Sequence, residues 1–388
     1  MDSRKYSSAL LTVFIIFCFI FLAATGIYFF TDTWNVNSPV DLGQEGDAYN
    51  QYPDRSIDDV YDSLTGRVPI LMYHMIVTPY MEKEVFGKGI IKRTPWMERF
   101  LVSSAQFKGE LESLYSAGFR NISLDEYISL KKGEIKTLDR IPPDSKLYVL
   151  TFDDGPYGQL DYSGIDKNGS PVIDPDCAVG IMMDFAKTHP DFKLNAAFAV
   201  TFEHSPFMQP EYVKDKLNRL LDLGFEIVNH TVSHKRLSWF VLHDRERADF
   251  EIGHAMELFE SYLGYRAASI DKVSYPGGNV NAELWKFIPD VTYNGRTWHF
   301  KAGLDAKGLQ AKNPNEKKFN IYNIARIETS DASFKKFILD APNLYRTPSV
   351  KDNKNDPAKG LAFYQRAEDK KKAVKDGKSY KNSGRERR

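Results

Sequence analysis

Two adjacent carboxylates and two distant histidines have the composition of a hydrolytic metal site. Asp153 and Asp154 directly follow the apolar run 147–152, and His230 and His234 lie further along the chain, four residues apart. One carboxylate and two imidazoles give a divalent cation three ligands and leave a position for water, as in catalytic rather than structural zinc sites. The second carboxylate is then free to accept a proton from that water.

Strand-like and helix-like segments alternate around these residues. The runs that predict strands are 147–152, 195–200, 225–228 and 272–275. Ser103 with Gln106, and Ser123 with Glu126, have the spacing of capping boxes at helix starts. Alternating strands and helices predict a parallel sheet, and the active sites of β/α barrels lie at the carboxyl ends of the strands. We therefore expect an α/β fold, an irregular (β/α) barrel with the polar residues at one rim.

The N-terminus has the pattern of a membrane anchor. Residues 9–30 contain no charged side chain and are long enough to cross about 30 Å of hydrocarbon. Arg4 and Lys5 precede this segment and acidic residues follow it, which predicts a cytoplasmic end at 1–8 and an exported body. A cleaved signal peptide is the alternative, but the apolar stretch is longer than the apolar h-region of a signal peptide. We expect a single-pass protein of the cell membrane.

The rest of the chain divides by composition. The predicted segments are a cytoplasmic end at 1–8, a transmembrane anchor at 9–30, a polar linker at 31–65, a catalytic domain at 66–340 and a polar basic tail at 341–388. Basic and acidic residues number 52 each, so the overall charge does not indicate a nucleic-acid partner. Cys18 lies in the apolar segment and leaves Cys177 alone in the body, so no disulfide can cross-link the domain. The sequence carries no oligomeric signal.

Three motifs resemble the polysaccharide deacetylases of the NodB-homology type over about residues 66–335. They are Thr151-Phe152-Asp153-Asp154-Gly155-Pro156, His230-Thr231-Val232-Ser233-His234 and Ser274-Tyr275-Pro276-Gly277-Gly278. The resemblance implies that Asp153 is the catalytic base and that Asp154, His230 and His234 bind a divalent metal. Mixed nitrogen and oxygen ligands favour Zn²⁺. The resemblance further implies that the substrate is a polymer of N-acetylglucosamine.

The third motif departs from the family pattern, which has an arginine where this chain has Ser274 and a tyrosine where it has Gly277. We expect the backbone N–H of Gly277, with the neighbouring Tyr275, to contact the substrate and its oxyanion, because a backbone donor needs no side chain. Arg326 could replace the missing arginine, but the sequence favours a surface salt bridge for it.

The general acid also departs from the usual order. The family's Leu-x-x-His motif is expected late in the domain, whereas here Leu71-Met72-Tyr73-His74 precedes the aspartates. This order resembles the circularly permuted, membrane-associated or exported poly-N-acetylglucosamine deacetylases. We therefore predict that His74 protonates the leaving amine, with His299 as the second candidate.

The predicted function is that of a metal-dependent N-deacetylase. Its substrate would be an N-acetylglucosamine-containing exopolysaccharide or peptidoglycan outside the cell membrane. An O-acetyl polysaccharide esterase remains an alternative, since an ester is easier to cleave at the same site. A catalytically inactive glycan-binding protein is the third, and the serine at the arginine position is its best support.

Overall fold

The structure is a computed structural model that describes residues 66–344, apart from 131–140, 143–144, 279, 307, 309, 315, 317, 330–333 and 342–343. The predicted cytoplasmic end, membrane anchor and linker, and nearly all of the basic tail, lie outside the described residues. Within these ranges, every helix is too short or too polar to cross a bilayer.

The strands of the described part of the chain are β1 Ile70–Tyr73, β2 Met75–Val77, β3 Leu101–Ser103, β4 Phe119–Asn121, β5 Lys146–Asp154, β6 Tyr162–Ile165, β7 Pro171–Ile173, β8 Ala197–Val200, β9 Glu226–Asn229, β10 Lys272–Ser274, β11 Asp290–Tyr293, β12 Arg296–His299, β13 Ala302–Leu304 and β14 Ile327–Glu328.

The α-helices there are α1 Pro95–Glu98, α2 Ser104–Ser116, α3 Leu124–Ser129, α4 Ala178–Thr188, α5 Val213–Asp222, α6 Leu237–His243, α7 Arg245–Leu263 and α8 Ala282–Phe287. Short 3-10 turns occupy Pro206–Met208, Pro210–Tyr212 and Gly264–Ser269, and π-helical turns occupy Met81–Phe86 and Lys335–Leu339.

A curled parallel sheet forms the centre of the domain. Its strands run in the order β13-β10-β9-β8-β5-β1-β14, each parallel to its neighbours, with β4 pairing beside β5. Ile324 joins the two ends of the sheet: its N–H donates to Gly303 O at 3.0 Å, and the N–H of Asp305 donates to Ile324 O at 2.8 Å. The expected parallel, barrel-like α/β architecture is confirmed.

The two predicted capped helices form as expected. The Ser103 hydroxyl accepts from the N–H of Gln106 at 3.1 Å at the start of α2. The Ser123 hydroxyl and the Glu126 carboxylate close a full capping box at α3, with bonds of 3.0 and 2.8 Å. These caps satisfy backbone donors that a helix start otherwise leaves without partners.

The alternation of β5 directs its side chains to two different cores. Leu150 and Phe152 pack in the large cluster with the surrounding helices, whereas Val149 packs in the smaller cluster formed by alternate positions of neighbouring strands. Because successive side chains point to opposite faces, Asp153 lies on the same face as Val149. The strand is longer than the sequence predicted, since its pairing with β8 continues to Asp154.

Candidate active site

Asp154, His230 and His234 converge on one point at the carboxyl ends of β5 and β9. Asp154 Oδ1 lies 3.2 Å from His230 Nε2 and 3.1 Å from His234 Nε2, and the three candidate ligand atoms are within 4.8 Å of one another. Asp154 Oδ1 is buried and receives no hydrogen bond from the described residues. A buried acceptor without a donor is costly unless a cation satisfies it. The three residues therefore fit a divalent metal.

A second contact orients the His230 ring. Its Nδ1 lies 2.9 Å from the carbonyl oxygen of Ser274, an acceptor, so Nδ1 carries a proton and the neutral ring presents the lone pair of Nε2 toward Asp154. Metal-binding histidines commonly use their other ring nitrogen in this way, which fixes the tautomer and the ring plane.

The backbone at this point is strained. Asp154, Thr231 and His234 have φ values of 73°, 69° and 50°, in the left-handed region that L-residues rarely adopt. Such conformations cost about 1–3 kcal/mol each and persist where the surrounding structure holds them. The strain therefore falls on two of the three candidate ligands and on the residue after the third.

Hydrogen bonds hold the loop that carries the histidines. The Asn229 side chain accepts from the N–H of Thr231 at 2.9 Å, and the Thr231 hydroxyl accepts from the N–H of His234 at 3.1 Å. The fully buried Glu251 of α7 accepts from the N–H groups of Val232 and Ser233 at 3.1 and 2.9 Å. This support makes the loop conformation a property of the fold. The sequence analysis missed Glu251, which lies in an ordinary helical pattern.

Asp153 is held by a buried arginine. Arg326 is fully buried and donates from Nη1 and Nη2 to the two carboxylate oxygens of Asp153 at 2.6 and 2.7 Å. Its Nη2 also donates to the hydroxyl of Ser274 at 2.9 Å. The interpretation of Arg326 as a surface salt bridge is therefore wrong. The arginine comes from the segment entering β14 and fills the space beside the serine that stands at the family's arginine position.

The charges around the aspartates keep both ionised. Burial raises the pKa of Asp153, but the charges of Arg326 and His230, the hydrogen bonds from Arg326 and the charge of His74 lower it below its usual value. Burial also raises the pKa of Asp154, and the close approach of His230 and His234, with the charge of His74, lowers it well below the usual range. A carboxylate that stays ionised at neutral pH is suited to accept a proton or bind a cation.

His74 lies at the same rim. Tyr73 is paired with Phe152 in the parallel register of β1 and β5, so the next residues, His74 and Asp153, are neighbours. The side-chain amide of Gln159, also missed in the sequence analysis, donates to the carbonyl oxygens of both at 2.7 and 2.6 Å. His299, the second candidate acid, lies in the β11–β12 hairpin with an exposed ring against the carboxylate of Asp290 at 2.6 Å.

Tyr275 and Gly277, the two residues expected near the oxyanion, differ in exposure and in hydrogen bonding. Tyr275 is buried; its hydroxyl donates to Tyr322 O at 3.0 Å and its N–H donates to Leu304 O at 3.0 Å. Both donors are used within the fold, and a contact between Tyr275 and substrate stays a prediction. Gly277 is exposed with a φ of 67°, and its N–H has no acceptor in the part of the chain that the structure describes.

Comparison with protein families gives a match between residues 140–295 and the model named polysaccharide deacetylase. Residues 140–295 therefore form a polysaccharide deacetylase domain. The chain is accordingly an enzyme of the carbohydrate deacetylase class. The matched segment contains both aspartates and both histidines, whereas His74 and Arg326 lie on either side of it.

Three bacterial proteins are among the solved structures to which this chain is similar. The deacetylase PplD of Streptococcus pyogenes has 17% identity and a TM-score of 0.46, over 71% of this chain and 99% of its own. The putative polysaccharide deacetylase BA0330 of Bacillus anthracis has 18% identity and a TM-score of 0.45, over 70% and 69%. IcaB of Ammonifex degensii has 16% identity and a TM-score of 0.43, over 70% and 95%. Comparison with curated protein sequences gives no match.

Proposed function

We propose that the protein is a metal-dependent hydrolase that removes N-acetyl groups from an N-acetylglucosamine-containing polysaccharide outside the cell membrane. The observation that carries the proposal is the convergence of Asp154, His230 and His234, beside a second aspartate held by a buried arginine. The extracytoplasmic location rests on the apolar segment 9–30 of the sequence.

The aspartates have separate roles in this proposal. Asp154 and the two histidines would hold the cation, which supplies Lewis acidity to activate water and polarise the acetyl carbonyl. Asp153 accepts the proton of the attacking water, and Arg326 holds its carboxylate in one orientation, with both oxygens engaged.

The leaving amine needs a proton, and His74 is the proposed donor. It lies beside Asp153 at the end of β1, and its ring is half-buried rather than enclosed. The backbone N–H of Gly277 would donate to the developing oxyanion, a role that geometry rather than a side chain decides.

Arg326 also weakens the case for an inactive glycan-binding protein. That alternative rested on the serine at the family's arginine position. A guanidinium reaches Asp153 and Ser274 from β14 instead, so the carboxylate has the partner that the motif lacks.

The direct test is a deacetylation assay on the full-length protein. We expect primary amine to appear with acetate when N-acetylglucosamine oligomers are supplied, and chelation of the metal to stop the reaction until Zn²⁺ is restored. Acetate release only from an O-acetylated polymer, with no amine from any oligomer, would refute N-deacetylation.

Two histidine variants separate the roles of acid and ligand. His230→Ala should lose both metal and turnover, whereas His74→Ala should lose turnover, by about a hundredfold or more, and keep near wild-type metal content. Turnover and metal content are measured on the same preparations. Equal metal loss in both variants would contradict the assignment of His74.

A further inference from the structure

An exposed aromatic series runs outward from His74. The His74 and Phe100 ring centroids are 4.6 Å apart, and those of Phe100 and Trp96 are 4.9 Å apart. His74 and Phe100 are half-buried, and the side chain of Trp96 at the outer end is 59% exposed. Apolar ring surface therefore extends without a break from the proposed acid to solvent.

The segment carrying these rings is held rigidly. The Thr94 hydroxyl caps α1, and Pro95 occupies its first position. Arg99 binds both carboxylate oxygens of Glu328 on β14 at 3.0 Å and lies over the Phe100 ring at 4.8 Å.

The backbone adds a further attachment. The N–H of Met75 donates to Phe100 O at 3.3 Å, and the following residues form β3, which pairs with β2. Trp96 is therefore presented by elements fixed to β2, which follows His74, and to β14.

We infer that Trp96 and Phe100 form a subsite that binds a neighbouring sugar ring of the polysaccharide substrate, next to the sugar that is deacetylated. This inference rests on the proposed function, because the role of His74 as the acid defines where the next sugar of the polysaccharide would lie.

The chemistry of a sugar fits this surface. A pyranose ring presents an apolar face of C–H groups bordered by hydroxyls, and a tryptophan offers a flat apolar face that loses little conformational freedom on binding. Charged groups lie near the rings. Glu98 is the last residue of α1 and Arg99 follows it, where both can hydrogen-bond sugar hydroxyls. Rigid, exposed aromatic residues beside a reacting centre provide affinity without ordering cost.

The kinetic test compares long and short substrates in the full-length, metal-loaded protein. Trp96→Ala should raise KM for an N-acetylglucosamine hexamer by about ten- to a hundredfold and leave kcat within about twofold. Hydrolysis of a small acetate ester, which occupies only the reacting position, should not change. Trp96→Tyr should recover most of the loss.

The matched control is Tyr265→Ala. Tyr265 is 91% exposed and lies between α7 and β10, near the amino end of that strand. It should not alter KM for either substrate. An unchanged KM for the hexamer in Trp96→Ala, or an equal loss on hexamer and ester, would overturn the subsite.

A binding measurement separates this inference from the proposed function. Calorimetric titration of the hexamer into Asp153→Asn should show binding that Trp96→Ala in the same background weakens by at least about tenfold. If the wild type releases no amine but this difference in binding is found, the proposed reaction falls and the subsite stands. No hexamer binding by Asp153→Asn would remove the subsite even if the wild type deacetylates the polymer.

Discussion

The two ends of the parallel strands both bury charges but treat them differently. At the carboxyl end, one carboxylate and two imidazoles bring their potential ligand atoms within 4.8 Å of one another. At the amino end, the buried ammonium of Lys272 forms ion pairs with Asp125, Glu226 and Asp271 at 2.7, 2.8 and 2.9 Å.

The amino end is internally compensated. Glu226 also accepts from the N–H groups of Leu124 and Asp125 at the start of α3. Burial lowers the pKa of Lys272, but the charges of Glu226, Asp125 and Asp271 raise it above its usual value. A raised lysine pKa means that this stabilisation is complete at neutral pH and is lost only as pH rises above the lysine's usual pKa.

The comparison shows that buried charge alone does not identify a functional site. Lysines pair with the carboxylates at the amino end, whereas at the carboxyl end Asp154 lies against His230 and His234. The left-handed φ values of Asp154, Thr231 and His234 occur at the carboxyl end. Potential metal ligands that converge on strained backbone are the combination that indicates chemistry there.

The largest expected effect is on the proposed base. Asp153→Asn should lower kcat about 10²- to 10⁴-fold, because the side chain keeps its shape but no longer accepts a proton. Amine release from an oligomer, measured with a circular-dichroism check of folding, tests this. Activity within tenfold of the wild type would show that Asp153 is not the base. The carboxyl end would then lack the catalytic carboxylate that separates it from the amino end.

Next in size is the central cation of the compensated end. Lys272→Met should lower the free energy of unfolding by about 3–5 kcal/mol, since it removes a buried cation from ion pairs with three carboxylates. Urea denaturation measures the loss, and kcat should not change for the folded fraction. Lys286→Met is the control, because Lys286 is 71% exposed and pairs with Glu283 on the surface of α8. Equal losses in both variants would contradict the structural role of Lys272.

A smaller effect is expected from the arginine that holds the base. Arg326→Lys keeps a positive charge but loses the paired contact with both oxygens of Asp153, so kcat should fall about ten- to a hundredfold. Metal content should remain near wild type. Loss of metal in proportion to activity would instead make Arg326 part of the ligand support.

The smallest effect sharpens the comparison within the amino end. Lys301 binds Asp125 and Asp271, two of the carboxylates that Lys272 binds, at 2.8 and 2.7 Å, but it is 39% exposed. Lys301→Ala should cost less than about 1 kcal/mol by the same urea measurement, because solvent screens exposed ion pairs. A loss as large as that of Lys272→Met would show that exposure does not govern this network.

Much of the fold and of the candidate site could be predicted from local sequence patterns. The capped starts of α2 and α3, the strand before Asp153 and the grouping of His230 with His234 follow from short stretches of sequence. Caps, periodicity and motif spacing depend on neighbours in the chain, which is why they can be predicted without the structure.

Arg326 and Gln159 show why the remainder could not be predicted. Their hydrogen-bond partners lie on other elements of the fold, and neither residue belongs to a sequence motif. Only the pairing of β1 with β14 reveals which carboxylate Arg326 meets.

The pairing of β1 with β14 has a consequence for synthesis. Leu71 pairs with Ile327, so the first and last strands of the sheet meet only after nearly the whole domain has been translated. A nascent chain can form β5, β8 and β9 early, yet its base lacks Arg326 until that residue leaves the ribosome. Hydrolytic competence would thus be the final property that the growing polypeptide acquires.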